Sequence, residues 1–383
     1  MNESKPYALH VASWYPTHDK PFAGDFIQRH IQAIADKFPS CVLHVHRINK
    51  VSDSNWQVVP QGNFTAYIKY FSCKFRLLVP LFYVFYYLQG CKKICQQHGH
   101  PALLHVHVLN RIAIVALWLW RRLRVPLFVT EHWTGYHDKR FGRLGNLQQR
   151  AMRKLTSGAK RILPVTKHLQ NAMAQHGLKG NYTVVPNVVD VGHFQPNRHA
   201  VEQEAFRWVH ISNLRDGHKN VSGILRVFAR FAKAYPGQEL HIVHSHTNVS
   251  LEQYAAELGF AEGQVQFHGA MSHDKLAPFV ASCQVLLLFS HFENFPCVLP
   301  EAWAAGIPAV SSAVGGIPEY FSKDQGELCT SGDETSLFAA MERLYTRYHE
   351  FDKVTLHNYT IEHFSREAVG GKIVAQYREC SKN

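Results

Sequence analysis

The chain has 383 residues, 46% hydrophobic and 18% charged, with a formal net charge of +12. That length is too great for one ordinary core and fits two domains of similar size, and the composition excludes a disordered chain. The charge is uneven: residues 1–200 carry 26 Lys/Arg against 8 Asp/Glu and the remainder 15 against 21, so the two halves are expected to face different partners.

In chain order, Met1–Pro6 has no apolar core, so no leader peptide is expected. Strands are predicted at Tyr7–Ser13, Cys41–His46, Leu103–Val106, Leu127–Thr130, Arg161–Pro164 and Tyr182–Val185, with helices at Asp25–Lys37, Cys91–His98, Arg111–Arg122 and Leu144–Leu155. This alternation predicts a parallel sheet with helices on both faces. After the first strand stands Ser13-Trp14-Tyr15-Pro16 and then Phe22-Ala23-Gly24-Asp25, not G-x-G-x-x-G, which disfavours a plain dinucleotide dehydrogenase. Gly24 would allow close backbone approach to a ligand, or would simply open the Asp25 helix; the sequence supports both. No apolar run reaches about 18 residues, so no membrane span is expected. The eight cysteines lack zinc spacing, which fits free thiols and a cytoplasmic setting. His105 and His107 flank Val106, and His244 and His246 flank Ser245; with no third placed ligand, each pair reads as ordinary strand-end histidines and no metal is expected.

A polar stretch, Gln195–Glu204, separates the halves, and the alternation then repeats with strands at Trp208–Ile211, Glu239–Val243, Val265–Phe267, Val285–Phe289 and Ala309–Ser311. Two Rossmann-like domains with parallel sheets facing a cleft are expected, with ligands beyond the carboxyl ends of the strands. After the fourth of these strands comes Glu293-Asn294-Phe295-Pro296-Cys297-Val298-Leu299-Pro300-Glu301, where Val298–Ala305 suits a helix: two prolines near its start and Gly306 closing it. A carboxylate on each side of a helix N-terminus suits a ligand charged in its middle and rich in hydroxyls at both ends, such as a nucleotide-sugar.

This block resembles the E-x7-E signature of the retaining family 4 glycosyltransferases of the GT-B fold, and Gly315-Gly316-Ile317-Pro318-Glu319 looks like that family's G-G-x-P-E loop. The resemblance covers nearly the whole chain. It implies an α/β GT-B architecture: an acceptor-binding domain over 1–195, a nucleotide-sugar-binding domain over 205–360, and a terminal helix within 361–383 crossing back to the first domain. It implies transfer of a sugar from a nucleotide-diphosphate donor to an acceptor hydroxyl, with retention, without a metal or other cofactor, in cell-surface polysaccharide assembly. Glu293 would orient the transferred sugar, Glu301 would accept from the ribose, and the backbone of Asn294, Phe295, Pro296, Cys297 and Val298 would contact sugar or phosphate. Lys219, opening a helix over Val221–Lys233, resembles the family's diphosphate-gripping lysine. The family's arginine position holds Asn213, leaving Arg215 as the candidate second cation. His132 matches a family histidine facing donor and acceptor, His268 lies where the base is held by backbone, and Pro186-Asn187-Val188-Val189-Asp190 resembles a structural stretch near the domain junction. His244-Ser245-His246 replaces the family's Gly-Asp-Gly turn and leaves the base open.

Eight basic residues and no acid lie between Lys139 and Arg161, and Tyr67–Leu88 is crowded with aromatics beside Lys69, Lys74 and Arg76. Basic heads with aromatic bodies suit an anionic lipid surface, with the competing reading that the aromatics are core. A glycan or lipid-linked acceptor and peripheral attachment to the inner face of the cell membrane are the expectation. No recognition motif supports nucleic acid. The alternatives are a nucleotide-sugar epimerase on the same fold, or a basic lipid- or nucleic-acid-binding protein.

Overall fold

The computed structural model describes residues 5–50, 55–197 and 205–381. Most of the stretch read as a linker, 198–204, lies outside the described residues. The chain divides into two compact units, 1–188 with 366–383, and 189–365.

The first unit is built on strands β1 (Ala8–Ala12), β2 (Ser40–Arg47), β3 (Trp56–Gln61), β4 (Phe64–Phe71), β5 (Leu103–His107), β6 (Leu127–Glu131) and β7 (Arg161–Pro164). Its helices are α1 (Asp25–Ala35), α2 (Val79–His98), α3 (Leu109–Leu123), α4 (Asn146–Gly158) and α5 (Lys167–Gln175). The sheet order is β3-β4-β2-β1-β5-β6-β7, parallel except for β3 against β4. The β3–β4 hairpin was not predicted. It turns at Gly62, whose φ of 60° suits glycine, and β4 is nearly all buried, so the period-2 alternation that marks a half-exposed strand is absent. Conversely, Tyr182–Val185 forms only a single bridge, Tyr182 to Ile162, beside β7. Helix α2 begins at Val79, twelve residues before the predicted start, because its apolar residues run all round and show no amphipathic stripe.

The C-terminal helix (Arg366–Ser381) belongs to this unit. It packs on α1 so closely that a Cβ at Gly370 would overlap the carbonyl of Ala33, and its Val369, Ile373, Val374 and Tyr377 are buried. The segment predicted as one helix from Ile361 is broken at Ser365, whose extended backbone bridges Val189.

The second unit comprises β8 (Phe206–Ser212), β9 (Gln238–His244), β10 (Val265–His268), β11 (Val285–Leu288), β12 (Ala309–Ser312) and β13 (Gly326–Cys329). Its helices are α6 (Asp216–Lys219), α7 (Val221–Ala234), α8 (Val249–Glu257), α9 (His273–Ala281), α10 (Val298–Ala304), α11 (Glu334–Thr346) and α12 (Lys353–Phe364). All strands are parallel in the order β10-β9-β8-β11-β12-β13. Val285 and Leu287 join the core on one face, with α7 and α11; Leu286 and Leu288 join the core on the other, with α10 and α12. That is why Val285–Leu288 reads as an unbroken apolar run.

Candidate active site

In the second unit the order in which the chain adds strands reverses between β8 and β11. Chains leaving two adjacent strands there diverge, and the gap between their loops is where open α/β sheets bind ligands. The loop after β8 carries Lys219 and the loop after β11 carries Glu293. Their side chains meet: Lys219 Nζ lies 2.5 Å from Glu293 Oε1, and the Ser290 hydroxyl donates to the same oxygen at 2.8 Å. The Glu293 and Lys219 side chains are only 8% and 13% exposed, so the charges are largely withdrawn from water. Lys219 does not open the long helix as predicted. It closes the short turn α6, and Asn220, left-handed at φ 51°, separates it from α7. The Asp216 carboxylate accepts from Ser222 N and Oγ and ties the two helices together.

Arg215 is exposed, and its guanidinium makes no ion pair among the described residues. Its backbone caps α6, and Asn213 Oδ1 accepts from its N–H, so Asn213 shapes the turn. Leu214 is also forced to positive φ, 54°. Glu301 lies in the first turn of α10 and is 3% exposed, an unusual burial for a carboxylate. Asn294 and Phe295 are buried, Pro296 and Cys297 lead into α10, and Val298 is its first residue. His268, at the carboxyl end of β10, pairs through Nε2 with His241 Nδ1 at 3.0 Å; burial lowers the basicity of both.

The glycine loop has a steric role. Gly315 sits at φ +60°, and a Cβ there would overlap the carbonyl oxygen of Glu293, while Gly316 N donates to Asn294 O at 2.7 Å. The loop after β12 thereby props the backbone carrying Glu293. Gly315→Ala is expected to lose more than about 2 kcal/mol of stability through strain and overlap; a thermal melt unchanged from wild type would refute this packing role.

In the first unit the corresponding reversal lies between β1 and β5. Val108, directly after β5, is held at φ 64°, a real outlier for a β-branched residue; its N–H donates to Thr130 O and its carbonyl accepts the Ser13 hydroxyl. Glu131, fully buried at the end of β6, accepts from the backbone N–H groups of Leu109, His132 and Trp133 and from the Tyr136 hydroxyl. Sequence reasoning passed over Glu131, although the first acid after an acid-free stretch from residue 55 to 130 was a signal. It gathers the start of α3 and the His132 loop around one carboxylate, whose own affinity for a proton is raised by burial.

His132 is buried among Phe26, His30 and Asn187, with ring centroids 4.6 Å from Phe26 and 5.1 Å from His30. Burial and the neighbouring His30 hold its pKa well below the usual histidine value, against the opposing effect of its hydrogen bond to Asn187, so it is neutral at neutral pH. Gly24 caps α1 in the left-handed region at φ 78°, and a Cβ there would come within 2.6 Å of the Trp14 backbone; the turn demands glycine whether or not a ligand binds.

The structure does supply a third histidine near His105 and His107. His10, His105 and His107 bring ring nitrogens within 4.8 Å of one another. Five of the six nitrogens already have protein partners: His10 bonds His107 and Ser40, and His105 bonds Tyr377 and Thr130. The group is a hydrogen-bonded network inside the core.

A family model described as "Glycosyltransferase Family 4" matches residues 55–193, and one described as "Glycosyl transferases group 1" matches residues 193–355. Among solved structures, sucrose-phosphate synthase from Thermosynechococcus elongatus superposes with a TM-score of 0.78 at 16% identity, covering 98% of this chain and 99% of that one. Anabaena HepE in complex with UDP and glucose gives 0.73 at 15% identity, covering 97% and 100%. The fold is therefore that of the GT-B glycosyltransferases: two parallel-sheet α/β units. With the two models together spanning residues 55–355, the chain belongs to glycosyltransferase family 4.

Two relatives share more sequence over shorter stretches. The MMP α-(1→4)-mannosyltransferase of Mycolicibacterium hassiacum is 32% identical over 202 residues, 51% of this chain and 48% of the relative. The N-acetyl-α-D-glucosaminyl L-malate synthase of Bacillus anthracis is 34% identical over 130 residues, 34% of this chain and 33% of the relative. The chain thus spans a third to about half of the length of these relatives.

Proposed function

We propose that this glycosyltransferase moves a sugar from a nucleotide-diphosphate donor to a hydroxyl of a glycan or lipid-linked acceptor, with retention and without a metal. The carrying observation is the buried Lys219–Glu293 pair on the two loops that leave β8 and β11. The Lys219 ammonium would face the departing diphosphate, with Arg215 as the more exposed second cation; together they would supply the charge stabilisation that a metal supplies elsewhere. Glu293 would accept hydrogen bonds from hydroxyls of the transferred sugar, and Glu301 from the ribose.

Ser290 and Lys219 both engage Glu293 Oε1, which favours an orienting carboxylate over a nucleophile. Retention then follows from attack on the same face. The acceptor oxygen bonds to the anomeric carbon as its bond to the diphosphate breaks, and the acceptor proton passes to the departing phosphate oxygen. His132, neutral at working pH, would hydrogen-bond to sugar or acceptor without contributing charge. The basic first unit would bind the acceptor.

Thermal stability of the wild type and Glu301→Ala against UDP, GDP, ADP and their sugars tests the donor site. A ligand at about 100 times its Kd adds roughly 2.7 kcal/mol, a readily visible shift. One nucleotide series should stabilise the wild type and lose its effect in the variant. Absence of a shift with every nucleotide would count against this reading.

A further inference from the structure

The aromatics of Tyr67–Leu88 divide once the chain folds. Tyr67, Tyr70, Phe71 and Tyr87 are core, but Leu77, Leu81 and Phe85 are 92%, 64% and 56% exposed. Leu81 and Phe85 are four apart on α2 and share a face with Leu78, also exposed. Helix α3 lies beside α2 and adds Trp118, 60% exposed. Between the helices runs a groove of about 1090 Å³ with Phe85, Leu88 and Trp118 in its wall and Lys92, Arg121, Arg122 and Arg124 around it. From residue 55 to 130 the sequence holds nine Lys/Arg and no Asp or Glu. By contrast, several basic residues of the Lys139–Arg161 stretch are engaged within the fold: Arg140 pairs with Asp138, Arg153 donates to His176 O, and Arg161 pairs with Glu379.

We propose that the α2–α3 face is a docking surface for an anionic phospholipid bilayer. Large apolar side chains held in water at helical spacing are unfavourable unless something covers them. Tryptophan and phenylalanine suit the headgroup boundary, and arginines beside them match lipid phosphates in charge and geometry. A protein partner of the same charge complementarity would need acidic groups along the whole face; a second copy of this chain offers the same basic face and would repel it. The stripe begins at Leu77, just after β4 ends, so it runs from the carboxyl edge of the sheet, where a sugar acceptor would bind, along the helical layer. The surface does not require that the acceptor be a lipid.

Flotation of the full chain with vesicles rich in phosphatidylglycerol, and with pure phosphatidylcholine, tests this. The wild type is expected to float with the anionic vesicles at low salt and to be released as salt rises. Leu81→Asp with Phe85→Asp should abolish flotation, and replacing Arg121, Arg122 and Arg124 by Gln should weaken it roughly a hundredfold. Both variants should keep the wild-type melting temperature and donor-induced shift, which separates failure of docking from failure of the donor site. If the apolar double variant floats as the wild type does, charge alone is responsible and the docking face is overturned. So is it if no vesicle is bound and light scattering shows a dimer that the double variant dissociates.

Discussion

Lys219→Ala is expected to lower kcat/KM by roughly a hundredfold to a thousandfold, the scale of removing one preorganised charge-stabilising group. It should also destabilise the protein by about 3 kcal/mol, because it leaves the Glu293 carboxylate, 8% exposed, without its counter-charge. Glu293→Gln separates the two roles. Glutamine keeps a hydrogen-bond acceptor for Ser290, and Lys219 remains to meet the diphosphate. Stabilisation by the free nucleotide diphosphate should therefore persist in Glu293→Gln and be lost in Lys219→Ala. The extra stabilisation from the attached sugar should vanish in Glu293→Gln. Equal nucleotide affinity in Lys219→Ala and wild type would remove Lys219 from the diphosphate site.

Acid should unfold the protein well above the pH at which carboxylates protonate, with the first unit failing first. Burial lowers the pKa of His10 to about 3 and of His30 and His44 to about 4, and holds His105, His107 and His132 well below the ordinary value. Arg29 beside His30 and Arg111 beside His44 push in the same direction. In the unfolded chain these groups take up protons near 6.5. Their contribution is fully present above that pH and is lost as pH falls toward the folded values. At about pH 5.5, His10, His30 and His44 alone remove about 4 kcal/mol, a large part of a typical total stability. In the second unit His210 is the fully buried counterpart, lowered to about 4. Urea melts from pH 7.5 down to about 5 should show uptake of about three or more protons on unfolding, reduced by about one in His44→Gln. A flat stability curve over that range would contradict the neutral core histidines.

Much of this was legible before folding. Strands buried on both faces, such as Val285–Leu288, declare themselves as short apolar runs, and alternation with helices fixes the fold class. Glu293, Glu301, Lys219 and Gly315 stand out because their spacing and neighbours form a recognisable local pattern. What local pattern misses is whatever depends on a distant partner. The β3–β4 hairpin and β13 escaped because β4 is buried and β3 exposed along most of their lengths, so neither alternates, and β13, Gly-Glu-Leu-Cys, has no apolar run.

The amino-acid sequence by itself determined the two α/β halves, their opposite charge and the residue types of the candidate site, since periodicity, composition and turn chemistry are local properties. Tertiary structure alone decided that Lys219 and Glu293, 74 positions apart, form one buried pair, because only the order of β8 and β11 in the sheet makes their loops neighbours. It alone placed His10 against His107 in the core, gathered three backbone N–H groups onto Glu131, and left Leu81, Phe85 and Trp118 on the outside. Whether a side chain is covered depends on what packs over it, and the linear sequence does not carry that information.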